Sequence, residues 1–80
     1  MKIQLLAFGI AKDILQNKKY SMEIAQGASV RELREKLMQQ YPDFQALKSI
    51  SFAVGMEYRT DDFLLSEEDE VVIIPPVSGG

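Results

Sequence analysis

Cysteine and histidine are both missing from this chain of 80 residues, and the two absences remove much of the usual site chemistry. Without a thiol there is no disulfide framework, no zinc–thiolate site and no side-chain persulfide. Without an imidazole the commonest general base and metal ligand is gone. A self-contained enzyme would have to work with carboxylates, Lys, Tyr or Ser, in a chain that buries only about 60% of its surface on folding. No apolar run approaches the roughly 20 residues of a membrane helix. The first residues carry no charged-then-apolar leader, so the expected location is cytoplasmic and no membrane is expected as partner. A net charge of −3 supplies no basic face for nucleic acid. Repeats, linkers and low-complexity segments are absent as well.

What is present points to the C-terminal stretch. Val71-Val72-Ile73-Ile74 is an unbroken run of β-branched residues, the pattern of a buried strand. Pro75 and Pro76 end it, because neither donates a ladder hydrogen bond and both fix φ near the extended polyproline value. Val77 and Ser78 follow, then Gly79 and Gly80, which have the least bulk and the widest backbone freedom. A stiff stem ending in an unobstructed main-chain carboxylate is a shape suited to a narrow tunnel in a partner's active site. Gly79-Gly80 is no phosphate-cradling loop, since no helix follows it. The organisation expected is a single domain over 1–74 and an extended tail over 75–80.

Upstream, Lys2 to Phe8 is apolar on both sides, as in a central strand, and Gly9 breaks it. Ile10 to Leu15 suits a short helical turn with Ile10, Ile14 and Leu15 on one side. Tyr20 to Ile24 alternates like a strand with one buried face, making a hairpin with the first strand through a long connection. Ser29 with Glu32 is a capping box. The helix it opens carries Val30, Leu33, Leu37, Met38 and Tyr41 on one stripe and ends before Pro42. Arg31–Glu35 and Glu32–Lys36 are spaced as intrahelical ion pairs. Asp43 to Ser49 reads as a loop or one irregular turn holding Phe44 and Leu47. Ile50 to Val54 is a third strand, Met56 to Thr60 a weak edge strand, and Ser66 to Glu70 an acidic turn before the last strand. One main helix must then cover one face of a mixed four- or five-stranded sheet. The strongly apolar first and last strands belong side by side and parallel in its middle. This is an α+β fold, the β-grasp or ubiquitin-like roll.

The element order, Asp69-Glu70-Val71, and above all Pro75-Pro76-Val77-Ser78-Gly79-Gly80 resemble the small subunit of molybdopterin synthase, the MoaD family of ubiquitin-like sulfur carriers. The resemblance runs the length of the chain. Two turn positions depart from it: Gly55 stands where Asn is common, and Glu68 where Gly is common, both places that favour positive φ. The resemblance implies that Gly80 is adenylated by an ATP- and magnesium-using activating enzyme of the ubiquitin-activating type. The adenylate is then converted to a thiocarboxylate with sulfur from a donor system. It also implies docking on the large synthase subunit in a heterotetramer, where sulfur passes to cyclic pyranopterin monophosphate to form the molybdopterin dithiolene. The chain itself would bind no cofactor and would be non-catalytic alone, a sulfur-donating subunit beside a large catalytic one. Thiamine or tRNA sulfur transfer, ubiquitin-like conjugation, and a non-covalent β-grasp interaction module are the alternatives.

The period of two in the last strand sends Val72 and Ile74 to the face opposite Val71 and Ile73. With Phe8 on the neighbouring strand and Val77 on the stem, Val72 and Ile74 are expected to form an apolar patch for both partners, continued by Pro75, Pro76, Ser78 and Gly79. The competing expectation is that the Ile10–Leu15 segment covers them. The acidic residues Asp61, Asp62 and Glu67 to Glu70 lack the ligand spacing of a calcium loop and read as a solvated turn or a docking patch for basic groups.

Overall fold

Ile3, Leu5 and Ala7 all point to one side of the first strand and are fully buried there, while Leu6 between them is only half-buried. The computed structural model describes residues 1–47 and 49–76, and this strand, β1 (Lys2–Ala7), sits near the middle of its sheet. The amide of Gln4 also bonds to the Asp69 carbonyl at 2.9 Å. β2 (Lys19–Glu23) runs antiparallel on one side, placing Lys19 opposite Leu6 and Tyr20 opposite Leu5. β5 (Glu70–Ile74) runs parallel on the other side, with Val72 opposite Leu6 and Ile73 opposite Ala7. β3 (Ser51–Val54) lies antiparallel to β5, and the three-residue β4 (Glu57–Arg59) forms the edge. The order is β2-β1-β5-β3-β4, so the first and last strands are central, adjacent and parallel, as the residue pattern requires.

The main helix, α2 (Val30–Gln40), covers the inner face with Val30, Leu33 and Leu37, all fully buried. Its start leaves no amide of the first turn unpaired. Glu32 N–H donates to Ser29 Oγ at 3.3 Å, and Ser29 N–H donates to Glu32 Oε1 at 3.2 Å, closing the capping box. Val30 N–H reaches the Phe63 carbonyl at 2.9 Å and Arg31 N–H the Asp61 carbonyl at 3.0 Å. The segment following β4 therefore finishes a helix that precedes β3, satisfying donors that any helix N-terminus leaves open. Pro42 opens a 3₁₀ turn (Pro42–Ala46) whose Phe44 is fully buried. Tyr41 stands edge-on to Tyr20 and Phe44, with centroids 5.8 and 6.5 Å away, the geometry aromatic rings prefer.

Two local expectations are corrected. In α1 (Gly9–Leu15) the buried residues are Ala11 and Leu15, while Ile10 is 44% exposed. Gly9 takes φ +56°, and the helix that begins there turns small Ala11, rather than Ile10, toward the core. The intrahelical charge pairs do not form either. Arg31 meets Asp62 at 3.3 Å, Glu32 is committed to the cap, and Lys36 donates to the Glu23 carbonyl. Partners brought in by tertiary structure displace pairings each worth only a few tenths of a kcal/mol.

The two turns where the sequence departs from the resemblance both hold positive φ. Val54 pairs with Glu57 across a two-residue loop in which Gly55 has φ +65° and Met56 +67°, as the tight primed hairpin turns require. Glu68 holds φ +65° in the turn before β5. Its amide reaches the Lys2 carbonyl at 2.8 Å, so the turn is bonded to the start of β1.

Candidate functional site

The outer face of the sheet has no helix over it among the described residues. α1 packs against β1 and the 3₁₀ turn, and its Ala11 and Leu15 join the same core as Ile3, Leu5 and Phe44. It lies on the inner side, and Val72 and Ile74 are not beneath it. The registers then string one row of outward side chains across all five strands: Lys19, Leu6, Val72, Ala53 and Tyr58. Nearer the end of β5, Ile74 lies opposite Ser51, and the β1–β5 register continued one residue sets Phe8 beside Ile74. Phe8 is 48% exposed and extended in backbone, at the N-terminal cap of α1. The Lys18 ammonium stands 5.9 Å from its ring centroid.

Leu6, Val72, Ile74 and Phe8 are thus neighbours on one apolar surface that ends where the sheet ends. Pro75 is half-buried and Pro76 exposed immediately after β5. Val77, Ser78, Gly79 and Gly80, the remaining tail positions singled out from the sequence, lie outside the described residues. Sequence reasoning did not select Leu6 or Tyr58 for this surface. Leu6 was within reach, because it has the same strand parity that puts Val72 outward. Tyr58 depended on β4 pairing in a register that only the hairpin turn reveals.

The acidic residues are mostly engaged in holding the fold. Asp61 pairs with Arg34 at 2.8 Å and Asp62 with Arg31. Glu67 accepts the Lys2 amide at 3.0 Å, and Asp69 accepts the Ser66 amide at 2.7 Å. No group of potential metal ligands occurs among the described residues. A shallow cavity of about 560 Å³ opens beside Met56, Arg59, Phe63, Glu68 and Glu70 near the start of β5, and it borders the outward row at Ala53 and Val72. Its one cation is already held: Arg59 donates to the Val54 carbonyl at 2.9 Å, pairs with Glu57 at 3.4 Å and stacks 4.5 Å from the Phe63 centroid. No helix among the described residues is long and apolar enough to cross a membrane.

A mixed five-stranded sheet with parallel central strands, crossed on one face by a single main helix, defines the ubiquitin-like β-grasp class. A putative subunit 1 of molybdopterin converting factor from Pyrococcus furiosus shares this fold with TM-score 0.87 and 23% identity over 96% of this chain and 99% of that one. Subunits 1 and 2 of the molybdopterin-converting factor of Helicobacter pylori form a protein–protein complex whose structure matches with TM-score 0.68 and 21% identity, covering all of both chains. In sequence, the profile described as the ThiS family matches residues 5–80, and the chain belongs to that family. It is 31% identical over 83 residues to the molybdopterin synthase sulfur carrier subunit of Chlamydomonas reinhardtii, covering both proteins fully.

Proposed function

We propose that this chain is the sulfur-carrier subunit of a molybdopterin synthase. The observation that carries the reading is the end-to-end relation to a protein of that name, joined to a Pro-Pro-Val-Ser-Gly-Gly ending directly after β5. Gly80 is the reactive residue. At neutral pH its carboxylate is an anion and a poor acyl donor, so an activating enzyme transfers AMP from ATP to it and releases pyrophosphate. A sulfur donor then displaces AMP, leaving a thiocarboxylate, a soft nucleophile with no side chain beside it. ATP and magnesium belong to the activating enzyme, and this chain holds no cofactor.

The thiocarboxylate is delivered to cyclic pyranopterin monophosphate in the large synthase subunit, within a cytoplasmic heterotetramer. The partner-facing residues are Phe8, Val72 and Ile74 on the outer face, Pro75 and Pro76 as stem, and Val77, Ser78 and Gly79 inside the partner's tunnel. Docking by the outer face suits this task, since that face leads directly into the stem.

Intact mass after incubation with ATP, magnesium, the activating enzyme and a sulfur donor tests the reading. One oxygen-for-sulfur exchange at the C-terminus is expected, followed by its reversal when the pterin precursor and large subunit are added. An unmodified mass, under conditions that charge another carrier, overturns the proposal.

A further inference from the structure

Charge is unevenly spread around the outer face, and its arrangement speaks to the partner. Lys19 is directly opposite Leu6 on the exposed edge strand β2, so its side chain borders the apolar row on the outer side. Lys18 precedes it and leans over Phe8, an orientation that a cation and an aromatic face favour. Both lysines are exposed, and neither forms an ion pair among the described residues. The strand carboxylates that share this face lie toward the other end of the strands: Glu70 sits opposite Gln4 and Glu23 opposite Lys2. Ile10, two residues beyond Phe8, is also 44% exposed at the start of α1. A chain of net charge −3 thus presents two lysines at the start of β2, beside Phe8 and Leu6 on its uncovered sheet face.

We propose that this lysine pair selects the partner: the outer face docks a protein surface that is apolar at its centre and carries carboxylates where it meets Lys18 and Lys19. The inference rests on the carrier reading above and adds to it the chemistry of the opposing surface. Two exposed ammonium groups at a rim act mainly on encounter, raising the association rate and making it sensitive to salt. The apolar centre, with Leu6, Phe8, Val72 and Ile74, governs how long the complex lasts, since differences in residence time dominate affinity. The lysines need no fixed ion pair in the complex, because steering works over the Debye length, about 10 Å at 0.1 M salt.

The test measures association and dissociation rates on the large synthase subunit at low and high salt, for wild type, Lys18→Glu/Lys19→Glu and Ile74→Lys. The expected result for the double variant is an association rate lower by about tenfold or more at low salt. Its salt dependence should be flattened or inverted, and its dissociation rate little changed. Ile74→Lys should abolish binding. If the double variant keeps wild-type association and salt dependence while Ile74→Lys fails to bind, the role of the lysine pair is overturned and the carrier reading stands. If the wild type does not bind the large subunit at all, both fall. Self-association of the wild type that is lost with the two lysines gives the face to a second copy of the chain and overturns the proposal.

Discussion

The guanidinium of Arg34 holds the Asp61 carboxylate at 2.8 Å with one terminal nitrogen and the Ile50 carbonyl at 2.8 Å with the other, while its plane lies 5.2 Å from the Phe52 ring centroid. One side chain of α2 therefore ties together the residue leading into β3 and the segment following β4. Each end of the fork has its own destination, which a Lys point charge cannot reproduce.

Arg34→Ala should destabilise the fold by about 1–2 kcal/mol, mostly through the lost bond to the Ile50 carbonyl. The ion-pair share is small, because Asp61 is 41% exposed and exposed pairs contribute about 0–1 kcal/mol. Arg34 Nε, buried without a partner among the described residues, offsets part of the gain. Urea unfolding should show Arg34→Lys nearer to Ala than to wild type, and Asp61→Asn milder than either. A fully rescued Arg34→Lys contradicts the two-ended clamp.

Glu68→Gly should raise stability by about 0.5–1 kcal/mol. A side chain in the left-handed region costs roughly 1–2 kcal/mol, part of which glycine gives back as unfolded-state entropy. The Glu68 amide still reaches the Lys2 carbonyl in the variant. In a chain of this size the melting temperature should rise by a few degrees. A fall shows that the turn is not held at positive φ.

Ser29→Ala removes one half of the capping box and should cost about 1 kcal/mol. The Phe63 and Asp61 carbonyls keep their bonds to the first amides of α2, so the helix should shorten little by circular dichroism. Denaturant unfolding measures the loss. A cost near zero assigns the start of α2 to those two carbonyls alone.

Deleting Gly80 should leave the unfolding transition unchanged and eliminate thiocarboxylate formation by mass. Leu37→Ala should do the reverse, costing about 2–5 kcal/mol while the fraction that remains folded is still charged. The pair separates the tail's chemistry from the domain's stability. Charging of the truncated chain at the wild-type rate would remove Gly80 from its assigned role.

Much of this architecture can be read from the residues because its signals are local. The Ser29–Glu32 cap, the stripe of α2 and the apolar runs of β1 and β5 each lie within a few positions, and the central parallel pair follows from the apolar strength of those two runs. That Val72 and Ile74 share one face, opposite Val71 and Ile73, was legible from strand parity; that this face is uncovered followed only from where α1 and α2 dock. What was not legible depended on distant segments. The carboxylates of Asp61 and Asp62 reach α2 from beyond β3 and β4 and claim Arg34 and Arg31, which no window along the helix reveals. Ile10 misled because in seven residues two faces can both look apolar, and the dihedral of Gly9 decides between them.

The central place of β5 has a mechanical consequence. Bonded along one edge to β1 and along the other to β3, the strand that continues into the tail is anchored on both sides. A pull on the tail directed along the strand would load these bonds in shear, all at once, rather than peel them open singly. A machine that grips the tail and draws it inward would therefore load both of β5's ladders together. The carrier could be tugged, emptied and released without its sheet being unzipped.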